Sequence, residues 1–311
     1  MAFRLSYGLT VLLLFAATTV FSLGSGGSLI QVFFYSLILL ISERLTGLTA
    51  YGCRADSRIW FTGIFLALSP EMIASDQDLT GRFSDLFLVF LALYSTVKLL
   101  DKGDERWILM LLPTGTAAII GDIRLAGLLL PVSVQLILIN TGKRTLRRAL
   151  IVVLPLLLFM TAVILSGGRL RELIDSWDLA KFTGVGQLPA GTDVPPGWLY
   201  IMYPLAHPWF CVLLPGLLIL FRKTDLVNPA RRMLLGGAVF YLLVLGGLPG
   251  REMFPLLPVY IILLVSIFPS WDRVYCYGLY FFRKTVWLTI GILILTQVGM
   301  IVYKNVNQGH F

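Results

Sequence analysis

The chain has 311 residues, of which 57% are hydrophobic and 14% charged, with a mean hydropathy of +0.84. A soluble domain carries roughly 25% charged residues, so this balance excludes an ordinary water-soluble core and points to the bilayer as solvent. The formal net charge of +8 does not indicate nucleic acid, because the basic residues sit in short connectors between apolar runs, as membrane topology requires.

Each crossing needs about 17–25 mainly apolar residues. In chain order the sequence predicts such helices at 6–23, 28–43, 59–74, 84–100, 107–121, 124–140, 148–166, 203–221, 233–248, 253–269 and 285–303. The fold class is therefore all-α, a polytopic integral membrane protein of about eleven transmembrane helices, with residues 1–311 read as a single transmembrane domain. Unpaired backbone is costly in lipid, so each span must be helical. Period-two alternation is absent, which excludes a barrel. The first run is too long for a signal-peptide core and no small-residue cleavage site follows it.

The connectors fix an orientation. With a cytoplasmic N-terminus, 18 of the 25 basic residues fall on the cytoplasmic side, among them Lys143, Arg144, Arg147, Arg148, Arg231 and Arg232. The other 7 are Arg82, Arg124, Arg169, Arg171, Lys181, Arg251 and Lys304. That asymmetry is the positive-inside pattern, and a prokaryotic plasma (inner) membrane is the expected location. One connector is long, residues 167–202, and it is non-cytoplasmic. Its segment Leu170 to Phe182 reads as an amphipathic helix lying on the membrane surface. The remainder is rich in Gly and Pro, with Trp177, Trp198, Tyr200, Tyr203 and Trp209 suited to the interface.

Three cysteines, Cys53, Cys211 and Cys276, are widely spaced, and only two histidines, His207 and His310, are present. A disulfide framework or zinc site is not expected. Carboxylates instead gather on the outer face: Asp76, Asp78, Asp85, Asp122, Glu172, Asp175, Asp178, Asp193 and Glu252, with Glu71 just inside a span. Asp76 and Asp78 are spaced to share a divalent cation such as Mg or Mn, or to divide the roles of base and stabiliser. The bland alternative is a hydrated loop. Asp85 leads the apolar run LFLVFLALY, where an ionised carboxylate is costly unless paired; Arg82, at i−3, is one candidate partner. Asp122 and Arg124 share a two-helix turn and are read either as a local ion pair or as part of a site. Arg251 and Glu252 occupy a similar turn, where the arginine suits a phosphate. His207 reads first as an interfacial structural residue and second as a base.

Taken in order, four stretches resemble the GT-C superfamily of polyprenyl-phosphate-sugar-dependent glycosyltransferases, in particular the protein O-mannosyltransferase and aminoarabinose-transferase group. They are FLALSPEMIASDQDLTGRFSDLFLVFLALY, GTAAIIGDIRLAGLLLPV, PPGWLYIMYPLAHPWF and GREMFPLLPVYIILL, within residues 20–268. The resemblance implies an inverting cell-envelope transferase that moves a sugar from a polyprenyl phosphate to a lipid, glycan or protein acceptor on the non-cytoplasmic face. It makes Asp76, Asp78 and Asp85 candidates for base or metal contact, and Arg82, Arg124 and Arg251 candidates for the donor phosphate. Arg169 and His207 are acceptor or loop candidates. The family carries an acidic pair in a long first outer loop, whereas the first outer connector here is LGSGGS. The chain is thus expected to begin about one helix late, to have moved the acidic role to Asp76 and Asp78, or to have lost catalysis. Two other readings stand beside this one. The first is a glycan polymerase or ligase using Arg169, Arg171 and His207. The second is a non-catalytic accessory subunit with a partner membrane subunit, or a lipid-linked-sugar transporter. No internal repeat supports the transporter.

Overall fold

Runs of Leu, Ile, Val and Phe punctuated by Pro and Gly fold into helices throughout the described part of the chain. The computed structural model describes residues 29–49, 80–102, 105–140, 146–183, 228–248, 256–263 and 265–266, with single positions at 197, 291, 295 and 299. Among the described residues there is no strand. Among the described residues two helices, Arg82–Asp101 and Pro229–Gly246, are long and apolar enough to cross a membrane, and a third crossing follows if the bent pair Val153–Leu165 and Gly167–Ser176 forms one span. The expected spans at 6–23, 59–74 and 203–221 lie outside the described residues.

The chain divides into two compact units, the first comprising Met1–Phe83, His207–Asp225 and Leu264–Phe311, the second Ser84–Ala206 and Leu226–Leu263. In the first unit helix α1 (Leu29–Thr49) buries Ile38, Ser42, Leu45 and Thr46, the i, i+4, i+7, i+8 set of one helical face. Its two buried hydroxyls return to the chain, Ser42 Oγ donating to the Ile38 carbonyl at 2.7 Å and Thr46 Oγ1 to the Ser42 carbonyl at 2.8 Å. The apolar run predicts an end to this helix at residue 43. The structure carries it to Thr49 because Arg44 lies exposed while Leu45 and Thr46 stay buried.

Helix α2 (Thr80–Lys102) begins in the first unit and runs through the second. It starts four residues before the expected 84, so Arg82 is an exposed helical residue rather than a loop residue. A 3₁₀ turn, Glu105–Trp107, leads into α3 (Ile108–Gly121). Trp107 meets Tyr94 edge-on at 5.4 Å, and Lys98 Nζ stands 5.6 Å from the Tyr94 ring centre. Such an aromatic and basic group suits a membrane boundary.

A second 3₁₀ turn, Ile123–Leu125, joins α3 to α4 (Ala126–Asn140), and α5 (Leu146–Leu165) follows. Then come α6 (Gly167–Ser176), the five-residue α7 (Leu179–Thr183) and α8 (Pro229–Gly246). In the second unit α3 packs on α5, α5 on α4, and α4 on α8. Small residues bring the helices close, as lipid-embedded packing favours. The Phe159 ring covers Gly115, Gly127 faces Val244, and Gly237 faces Val132 and Leu128.

Three expectations are corrected here. The 14 residues of α3 rise about 21 Å at 1.5 Å each, less than the roughly 30 Å hydrocarbon core. With α4 also short, the expected spans at 107–121 and 124–140 are met by helices shorter than a full-thickness crossing. Helix α8 begins at Pro229, not 233, because Asn228 Oδ1 accepts from the Ala230 and Arg231 amides at 3.0 and 3.4 Å and Pro229 fills the first turn. Arg231 and Arg232 are therefore helical, the first buried and the second exposed, rather than connector residues. The expected continuous helix Leu170 to Phe182 breaks at Trp177 and Asp178. There the Asp178 amide leaves the helix to donate to the Gly247 carbonyl at 3.0 Å.

Candidate functional site

The N-terminal part of α2, the C-terminus of α3, the Ile123–Leu125 turn, the start of α6 and the C-terminus of α8 meet at one end of the second unit. Asp85 lies in the second turn of α2, half-buried, with its carboxylate directly against Gly121; a Cβ at that glycine would overlap the carboxylate oxygens. Asp122 and Arg169 both stand within electrostatic reach of Asp85.

Asp122 ends α3 in an extended conformation and caps the next turn, its Oδ1 accepting from the Arg124 amide at 3.0 Å. The Arg124 guanidinium closes on the same carboxylate, Nε at 2.9 and 3.0 Å and Nη2 at 2.8 Å. This two-pronged geometry is the strong form of an arginine–carboxylate pair. Both side chains are about a quarter exposed, so the pair shapes the turn more than it stabilises the molecule. Its i, i+2 spacing places the two groups together without help from tertiary structure.

Arg169 arrives from another element. Ser166 ends α5 and starts α6, its amide donating to the Ala162 carbonyl at 3.1 Å while its own carbonyl accepts from the Arg169 and Leu170 amides at 2.8 and 3.2 Å. Across this joint the axis turns by 83°, which carries α6 over the end of α3. Arg169 Nη1 then donates to the Ile120 carbonyl at 2.7 Å. A helix C-terminus leaves its last carbonyls without intrahelical partners, and a cation there is favourable. The far end of α6 is held too. The Trp177 indole N–H donates to the Leu243 carbonyl at 3.3 Å, its ring lies over Gly247, and Gly197 packs against the Gly246 carbonyl and the Phe182 backbone.

No family model, curated protein or solved structure matches this chain.

Of the residues named from sequence, Asp85, Asp122, Arg124 and Arg169 come together, and Arg82 stands one turn before Asp85 on α2. Asp76, Asp78, His207 and Arg251, and with them the expected divalent-cation pair, lie outside the described residues. Among the described residues no group of three or more His, Cys, Asp or Glu side chains gathers as a metal site. Two features were not read from sequence. The place of Arg169 beside Asp85 comes from the bend at Ser166, not from its position in the long connector. Gly121 carries no chemistry and was passed over; only the fold shows that it makes the room in which the Asp85 carboxylate sits. What this arrangement offers chemically is a carboxylate able to take a proton, with a guanidinium near enough to balance charge at an adjoining phosphate.

Proposed function

We propose that the chain is an inverting GT-C-type glycosyltransferase of about eleven transmembrane helices, its N-terminus cytoplasmic, in a prokaryotic plasma membrane. Its donor is a polyprenyl-phosphate sugar and its acceptor a lipid, glycan or protein hydroxyl at the non-cytoplasmic face. The observation that supports this reading best is the convergence of Asp85 with Arg169 at one end of the helical unit, arrived at from elements more than eighty residues apart in sequence. In the proposed reaction Asp85 takes the proton of the acceptor hydroxyl. The hydroxyl oxygen attacks the anomeric carbon, and the bond from that carbon to the phosphate oxygen breaks with its electron pair leaving on polyprenyl phosphate. Arg169 is the proposed partner of the departing phosphate, and Arg82 and Arg251 are further candidates for that role. Asp76 and Asp78 are the proposed ligands of a Mg or Mn ion, if one assists. Arg124, already engaged with Asp122, is assigned to shaping the turn.

The test is release of free polyprenyl phosphate from a panel of labelled polyprenyl-phosphate sugars by the purified protein. Turnover should fall by about two or more orders of magnitude in Asp85→Asn, the scale of a lost general base. Turnover that survives Asp85→Asn but collapses in Asp76→Asn or Asp78→Asn moves the base to those residues. A folded protein inactive with every donor overturns the enzyme reading in favour of an accessory chain with a partner subunit.

A further inference from the structure

Helix α6 has two unlike flanks. At about 100° per residue, Leu170, Leu173, Ile174 and Trp177 share one side, Glu172 and Asp175 the opposite side, and Arg169 and Arg171 the two borders between them. The Arg169 border meets protein, through the Ile120 carbonyl and the packing of α6 on the Ile123–Leu125 turn. The Arg171 border does not. Ile174 is 62% exposed and the Arg171 side chain 86%, and beyond them Trp177 and Leu179 stay exposed. Before the bend, Leu157, Met160, Ile164 and Leu165 of α5 are uncovered as well.

The bend supplies the direction. An apolar helix standing along the membrane normal that turns by 83° continues nearly in the membrane plane. A helix in that plane buries its apolar edge at the boundary between headgroups and acyl chains, and its arginines reach up to the phosphates. The charges on α6 are arranged for this: arginine at the border of the apolar side, acids pointing away. The contact of Arg171 with Asp175, 3.6 Å between two well-exposed side chains, is too loose to compete with a lipid phosphate.

We propose that residues 167–179 form an interfacial anchor, whose exposed Ile174, Trp177 and Leu179 enter the bilayer boundary and whose Arg171 binds the headgroup phosphate of an anionic phospholipid. The indole N–H of Trp177 is already engaged by Leu243, so the ring's uncovered edge makes the lipid contact. This anchor does not depend on the reaction proposed above, and the two can fail separately.

The experiment uses the full chain in vesicles, with Cys53, Cys211 and Cys276 replaced by serine and a single environment-sensitive fluorophore on Ile174→Cys or Glu172→Cys. Lipids carrying a nitroxide high on the acyl chain should quench the label at 174 several-fold more than lipids carrying it deep, while aqueous iodide hardly affects it. The label at 172 should answer to iodide. Equal iodide quenching at both positions would place the arm in water and overturn the proposal, as would a label at 174 shielded from both quenchers. Adding phosphatidylglycerol to phosphatidylcholine vesicles should deepen position 174, and Arg171→Glu should abolish that gain; an unchanged gain removes the anionic-lipid part. If the cysteine-free chain does not fold, brominated-lipid quenching of tryptophan is compared between the native chain and Trp177→Phe. A smaller quenched fraction in the variant supports the anchor, and an identical one overturns it.

Discussion

At the scale of single residues, the contact between Asp85 and Gly121 makes a prediction that separates placement from stability. A methyl group at 121 would overlap the Asp85 carboxylate, yet that carboxylate is the mobile end of a side chain and can swing aside. Gly121→Ala should therefore leave the melting temperature in detergent close to the parent, within the roughly ±0.5 kcal/mol of an ordinary surface change. Polyprenyl-phosphate release should nonetheless fall, through kcat rather than KM, because the base is displaced from the acceptor hydroxyl. A variant with parental turnover would show that the position of Asp85 does not matter to the reaction. The same contact shows where sequence reading stops. Asp122 and Arg124, two residues apart, were legible as a local pair because their own turn brings them together. Asp85 was legible as a carboxylate at a membrane boundary and Arg169 as a cation of the long outer connector, but their meeting depends on the bend at Ser166, which hydropathy does not report. Gly121 has no functional group to find.

At the scale of elements, the seam between α4 and α8 offers a matched pair of tests. Gly236 and Gly237 are neighbours in sequence and face different obstacles. A Cβ at 236 meets the amide end of Gln135, which can rotate away. A Cβ at 237 meets the Val132 side chain at 2.6 Å and the Leu128 carbonyl at 3.2 Å. Valine has one strongly preferred helical rotamer and a carbonyl cannot move without the helix. Gly237→Ala should cost about 1–3 kcal/mol as an overpacked contact, read as a lower midpoint of unfolding in mixed detergent, whereas Gly236→Ala should be nearly neutral. Equal effects would mean that the helices separate to accept either methyl group. Helix ends were the least legible feature at this scale. Reading for apolar runs stopped at charged residues, whereas α1 continues past Arg44, α2 begins before Arg82, and α8 begins before Arg231 and Arg232. Exposed arginines such as Arg44, Arg82 and Arg232 keep their charged heads outside while their stems lie along the helix, so a charge does not mark an end. The Asn228–Pro229 pair was the local signal that could have placed the start of α8, since a capping side chain followed by proline is a helix-start pattern.

At the scale of the whole molecule, alternation of basic and acidic connectors implied that residues 122–124 and the segment after 166 share a side. In the structure these segments do lie at one end of the second unit, with Asp85 and the end of α8 beside them. Which side of a membrane that end faces is a separate matter, resting on the excess of basic residues among the connectors. Helix α5 is the decisive element, because with α6 it forms either one broken crossing or a re-entrant hairpin. The four basic residues Lys143, Arg144, Arg147 and Arg148 stand at its beginning, and the acids Glu172 and Asp175 follow its bend. If α5 crosses, single cysteines placed at Lys143 and at Asp175 are reached by an impermeant maleimide from opposite sides. In intact cells Asp175→Cys should label fully and Lys143→Cys only after the membrane is opened. Labelling of both from the outside would make α5 re-entrant and would take the basic cluster of Lys143, Arg144, Arg147 and Arg148 out of the cytoplasmic excess of positive charge. The positive-inside pattern would then lose a main cytoplasmic connector, and with it the ground for setting the end that holds Arg169 and Asp85 on the outer face, where the proposed reaction takes place.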